Sequence, residues 1–207
     1  MSIVMRSNHL IIAAFDFDGT LTYGLPSRLQ FLYYLVGASK LAYGLFQSYK
    51  KKLFKMNTIS PEIILDQLLL SGFNKQEMES LAQQFFERIL IKKMRPEALK
   101  CLEHHQKQNH MCVIISGAWD IYLSKVKQHY GFQRLICTEL MFDKSNDVCT
   151  GKTKNGYCVG QNKLELFKKN FPNREAFTLY AYGDSKDDLP LLNYADYAFY
   201  RGFNYTQ

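Results

Sequence analysis

The sequence predicts an α/β fold: a Rossmann-like parallel sheet with helices on both faces, a small β-hairpin and an inserted α-helical cap. Three observations carry this reading. Short continuous apolar runs recur along the chain, helix-like stretches separate most of them, and the runs end in small or polar residues. Leu10 to Phe15 is the first run and stops at Asp16, as expected of a central strand covered on both faces. "MCVIIS" (111–116) ends in Ser116, and "TLYAYGD" (178–184) ends in Gly183-Asp184. "RLICT" (134–138) and "DYAFY" (196–200) read as further strands, and "PEALKCLEHHQKQ" and "KLELFKKNF" as intervening helices. In such sheets ligands sit beyond the carboxyl ends of the strands, so the three polar ends should converge on one crevice.

The alternation breaks between residues 23 and 92, which are largely helical in pattern. They are read as a cap inserted into a core made of residues 1–22 and 93–207. "ELMFDKSNDVCTGK" (139–152) carries turn residues at Ser145-Asn146-Asp147 and reads as the hairpin. The length of 207 residues suits one domain with a smaller insertion, and 47% hydrophobic with 14% aromatic content excludes wholesale disorder. A formal charge of +7 favours an anionic partner, whether nucleic acid, membrane surface or phosphorylated metabolite. Five cysteines without a CxxC pair read as reduced, buried thiols of a cytoplasmic protein. The N-terminal apolar run is too short, and too soon followed by Asp16, for a signal peptide.

"AAFDFDGTLT" (13–22) aims two aspartates into one small space. Like carboxylates in contact resist shared ionisation, so the pair calls for solvent, or for a cation and a phosphate. "DFDGTLT" (16–22), "IISGA" (114–118), Lys163 and "GDSKDD" (183–188) together resemble, in order and context, the motifs of the haloacid dehalogenase superfamily. The likeness is to its subfamily IB, the phosphoserine-phosphatase-like branch, and extends to "YLSKVKQHYGF", "CTEL" and "TGKTKNGYCVGQNK".

That resemblance implies a Mg²⁺-dependent phosphomonoester hydrolase working through an aspartyl-phosphate. Asp16 takes the place of the nucleophile, and Asp18 that of the general acid and base. Gly19 lets the chain turn tightly, and Gly19, Thr20 and Asp187 count with Gly117 among the positions that would bind the substrate or its phosphate. Ser116 and the Gly117 amide would donate to the phosphoryl oxygens, and Lys163 would neutralise them. The pattern G-x-x-K selects Lys163 over Lys152 and Lys154. Asp16, Asp184 and the main-chain carbonyl of Asp18 would hold the ion; Asp188 is assigned to a supporting role around them and Asp187 to the rim. His104, His105, His110 and His129 have no evident catalytic partner and read as surface or packing residues.

From Gly19 to Pro61 there is no Asp or Glu, while Arg28, Lys40, Lys50, Lys51, Lys52 and Lys55 are present. Gln30, Tyr33, Gly37, Lys40, Gly44, Gln47 and Lys51 form one small or polar stripe at helical spacing, with Phe31, Leu35, Ala38, Ala42, Leu45 and Tyr49 opposite. Gly37 and Gly44 are candidate helix breaks. Two readings stay open: a cap helix packed on its neighbours, or an interfacial helix resting on anionic lipid. "LTYGLPSRLQ" departs from the phosphoserine phosphatases in lacking the acidic residue that would meet a substrate ammonium. With Arg28 as a candidate substrate contact, a more anionic ester, either a phosphorylated small molecule or a lipid head group, is expected. A phosphotransferase shares the same motifs. A membrane- or nucleic-acid-binding protein on a retired phosphatase fold is the non-enzyme rival, although no nucleic-acid-binding motif is present. The oligomeric state is open.

Overall fold

The computed structural model describes residues 9–53 and 60–203, without the side chains of residues 51 and 53. Lys55 and the N-terminal residues before His9 lie outside the described residues. β1 (Leu10–Phe15), β2 (Met111–Trp119), β3 (Arg134–Thr138), β6 (Phe177–Gly183) and β7 (Tyr197–Tyr200) form one parallel sheet in the order β3-β2-β1-β6-β7. β1 lies at the centre, as its continuous apolar run predicts. Side chains alternate across it: Ala13 and Phe15 enter one core, Ile12 and Ala14 the other. The first core is closed by α4 (Pro96–Lys107), α5 (Asp120–Tyr130) and the cap. α6 (Gly160–Asn170) and α7 (Leu189–Tyr194) cover the opposite face. β4 (Leu140–Phe142) and β5 (Cys149–Thr153) make the antiparallel hairpin.

β2 runs past Ser116, where the sequence suggests its end, because the strand resumes after an irregularity. Ser116 pairs with Cys137 and Trp119 with Thr138, so Gly117 and Ala118 bulge out between them. A bulge re-aims the backbone locally, and this one faces the crevice where β1 and β6 end. Thr138 Oγ1 donates to the Gly117 carbonyl at 2.8 Å and holds the bulge in place.

The helical insert follows β1 as α1 (Ser27–Leu53), α2 (Pro61–Leu70) and α3 (Lys75–Phe85). The single polar stripe read along α1 does not survive in the structure. Gly37 adopts φ 75 and ψ 173, which only glycine takes readily, and splits the helix in two. The second half is therefore rephased: Ala38, Ala42 and Tyr49 are exposed, whereas Gly44 is buried. A Cβ at Gly44 would meet Leu65 and Leu69 of α2 at 3.0–3.1 Å, so this glycine is a contact surface and does not break the helix. α2 in turn docks on the hairpin, where Gly72 N donates to the Cys149 carbonyl at 2.9 Å and Ser71 Oγ to that of Thr150 at 3.0 Å.

All five cysteines are free and buried. His105 is a packing residue, hydrogen-bonded to His110 and to Tyr182 OH at 2.7 and 2.8 Å, and burial pushes its pKa down to about 4.

Candidate active site

The ends of β1 and β6 meet as expected, and Ser116 lies within β2, the strand paired to the other side of β1. Asp16 follows β1, and its amide donates to the Tyr182 carbonyl of β6 at 2.9 Å. That pairing places it beside Asp184, which follows β6. Carboxylate oxygens of Asp16, Asp184 and Asp188 lie within 4.8 Å of one another.

Lys163 reaches this cluster from α6 and is 2% exposed, whereas Lys152 is exposed and Lys154 pairs with Glu139 at 3.1 Å. Its Nζ donates to Asp16 Oδ1 at 2.8 Å and to Asp188 Oδ1 at 2.5 Å. Burying an ammonium is costly unless it is paired and hydrogen-bonded, and here it meets two carboxylates. Burial works against the ammonium, but Asp16 and Asp188 raise its pKa regardless. Asp188 Oδ2 accepts from Asp184 N at 3.1 Å, Ser185 N at 2.9 Å and Ser185 Oγ at 2.8 Å. Both Asp188 oxygens are thus engaged. Burial would push its carboxyl up, but Lys163 and Ser185 hold it below the usual carboxylate range.

Asp16 behaves differently. Burial drives its carboxyl up to about 7, against the pull of Lys163, with Asp188 and Asp18 adding repulsion. Asp184 is also raised, chiefly by burial and then by Asp188. Three carboxylates whose oxygens converge this closely form a set of hard donors that suits a small divalent cation such as Mg²⁺. By donor chemistry Asp16 and Asp184 fit as ligands, and Asp188 fits as the residue that orients them.

Asp18 is turned away from Lys163 toward the cap. Its Oδ1 accepts from Ser27 N and its Oδ2 from Ser27 Oγ, both at 2.8 Å. The buried Tyr122 OH lies 2.9 Å from Ser27 Oγ and accepts from Trp119 N at 3.3 Å. Burial raises the Asp18 carboxyl to about 6, opposed by the Ser27 hydrogen bonds and by Arg28. Two adjacent aspartates therefore have separate surroundings, one on an ammonium and the other on hydroxyl and amide donors.

Ser116 is buried, and its Oγ accepts from Ala118 N at 3.2 Å, so its own proton is still there to donate. Thr20 Oγ1 donates to Asp184 Oδ1 at 3.3 Å. Gly19 has φ +84, and a Cβ there would overlap the Asp184 carboxylate. The turn and the close approach both require glycine. Asp187 is exposed at the rim and lies outside the carboxylate cluster.

Arg28 lies next to the site, but its guanidinium is engaged by Asp66 of α2 at 2.5 Å. It stacks 5.2 Å from the Trp119 ring and 4.7 Å from Tyr157, whose OH donates to the same Asp66 oxygen at 2.6 Å. The acid-free stretch thus acquires a carboxylate from α2, which sequence reading did not connect to it. Arg95 belongs to none of the four motifs. Its Nη1 donates to the Gly19 carbonyl at 2.8 Å and braces the turn from outside the motif.

Residues 13–193 match the family described as haloacid dehalogenase-like hydrolase, and the chain belongs to that family. Among curated proteins it is 26% identical to "Protein CicA" of Caulobacter vibrioides, over 93% of this chain and 86% of that protein. A histidinol-phosphatase of Neisseria meningitidis is 24% identical over 59% of this chain and 57% of its own length. Among solved structures, a protein of unknown function from Bordetella pertussis Tohama I superposes with a TM-score of 0.74 at 19% identity, covering 90% of this chain and 87% of that one. A phospho-aspartyl intermediate analogue of phosphoserine phosphatase superposes with a TM-score of 0.53 at 17% identity, over 91% and 84% of the two chains. These likenesses extend the same architecture to the phosphoserine phosphatases.

Proposed function

We propose that the protein is a Mg²⁺-dependent phosphomonoester hydrolase that forms an aspartyl-phosphate on Asp16 and acts on a phosphorylated small molecule. One observation carries the reading: the buried Lys163 ammonium holds Asp16 and Asp188 together while Asp18, two residues along, is kept apart on Ser27. Asp16 attacks phosphorus as the bond to the leaving oxygen breaks, and Asp18 gives its proton to that oxygen. The Asp18 carboxyl, raised to about 6 mainly by burial, suits a group that alternates between acid and base near neutral pH. Asp18 then takes a proton from the water that cleaves the acyl-phosphate and restores Asp16. Lys163, Ser116 and the Gly117 amide match the charge of the transferred group. A Mg²⁺ held by Asp16, Asp184 and the Asp18 carbonyl would supply the remaining positive charge. Relatives described as phosphatases support the same reaction class.

Phosphate release from p-nitrophenyl phosphate and a panel of soluble esters, with and without EDTA, tests the proposal. Release should require the divalent ion and should not be diverted by added alcohols. Inertness of the wild type on all esters with every divalent ion would refute it, and phosphoryl transfer to alcohols would mark a transferase.

Gly19→Ala should strain the turn and displace Asp184, because alanine disfavours a φ of +84 and the new methyl group overlaps the Asp184 carboxylate. The expected result is a rise of roughly tenfold or more in the Mg²⁺ concentration needed for half-maximal turnover. Titration of metal against rate checks it.

A further inference from the structure

The second half of α1 carries a surface that neither the catalytic site nor the core uses. Beyond the Gly37 break, Leu41, Gly44 and Ser48 are buried, with Gly44 against α2. On other faces of the helix, Tyr43 and Phe46 are 65% and 64% exposed and Tyr49 is 54% exposed. Lys40 and Lys50 are exposed at the two ends of the same stripe, since positions 40, 43, 46 and 50 recur at three and four residues. Lys52 is exposed nearby. No acidic residue occurs between Gly19 and Pro61 to offset these charges.

Single exposed apolar side chains need no explanation, but several large aromatics gathered on one helix and bordered by charge mark a contact surface. Nucleic acid and a second copy of the chain would each leave part of this pattern unused. A stacked base engages an aromatic face between phosphate contacts, but among the described residues this stripe lies along a single helix. A second copy would bring the same lysines against their own kind. An anionic bilayer surface fits both halves of the pattern: tyrosine and phenylalanine enter the interface, and lysines at the margins meet lipid phosphates. No helix among the described residues is long and apolar enough to cross a membrane, so the contact would be superficial.

We infer that the outer face of α1 beyond Gly37 is a docking surface for an anionic lipid bilayer. The inference goes beyond the hydrolase reading and stands independently of it, because docking needs no turnover.

Co-sedimentation with vesicles of phosphatidylglycerol and phosphatidylcholine, against vesicles of phosphatidylcholine alone, provides the test. The wild type should bind the anionic vesicles selectively and be released as salt is raised. A Tyr43→Ser/Phe46→Ser variant and a Lys40→Gln/Lys50→Gln/Lys52→Gln variant should each lose about tenfold or more in bound-to-free ratio. Their melting temperatures and their turnover of soluble esters should match the wild type. Absence of wild-type binding to anionic vesicles, equal binding to both vesicle types, or variants that bind like the wild type would overturn the inference. A concentration-dependent dimer that disappears in Phe46→Ser would assign the face to a second copy and overturn it too. Turnover measured in the same preparations separates failure of docking from failure of the hydrolase reading.

Discussion

Asp16→Asn protein should fold normally and release phosphate at least on the order of 10⁴-fold more slowly than the wild type. The size follows from removing the only atom pair proposed to bond to phosphorus. An amide nitrogen and oxygen keep the shape of the carboxylate but lack its nucleophilicity. Normal folding follows from the geometry around Lys163. Its ammonium retains Asp188 at 2.5 Å when Asp16 is neutralised. Burial pushes Asp16 up to about 7 even beside Lys163, so the folded state resists its negative charge when no metal ion is bound. Replacing it with a neutral group removes that cost, and the melting temperature in EDTA should stay level or rise. A second readout separates this from general damage. Wild type quenched in acid during turnover of a labelled ester should carry covalent phosphoryl label, and the variant should carry none. Label retained on Asp16→Asn protein would move the nucleophile elsewhere.

The sheet was legible because continuous apolar runs have few alternatives. Leu10–Phe15 and Arg134–Thr138 have the predicted ends, and the other strands shift by a few residues. Asp16, Ser116 and Asp184 were legible for the same reason, since each closes such a run. The cap was legible as helical but not in phase. A periodicity count assumes one continuous helix, and the φ of 75 at Gly37 resets the phase for everything after it. Burial explains why Lys163 differs from Lys152 and Lys154, but burial at that position depends on where α6 packs on the sheet. Residues that hold the site from afar left no local signal. Ser27 is joined to Tyr122 across 95 residues, Arg28 to Asp66 across 38 and Arg95 to Gly19 across 76. Their side chains are ordinary polar residues until tertiary structure brings the partners together.

Lys163→Met should abolish turnover and also destabilise the metal-free protein, by about 3–5 kcal/mol near pH 8, the cost of breaking a buried ion pair from one side. Methionine fills much of the lysine's volume, so the loss reports charge more than packing. What remains is Asp188, 2% exposed, and Asp16, 7% exposed, without their shared cation. In the wild type, Lys163 and Ser185 hold Asp188 below its ordinary range despite burial. A depressed carboxyl contributes stability above its unfolded pKa and loses it as pH falls through the folded one. Without the ammonium, burial dominates and the folded pKa of Asp188 rises above the unfolded value. The sign then reverses: stability is retained at low pH and lost as pH rises through the raised pKa. The gap between wild type and Lys163→Met should accordingly be widest near pH 8 and narrow toward pH 5. Urea unfolding in EDTA at several pH values measures it directly. A gap independent of pH would mean that the lysine's stem, and not its charge, stabilises the site.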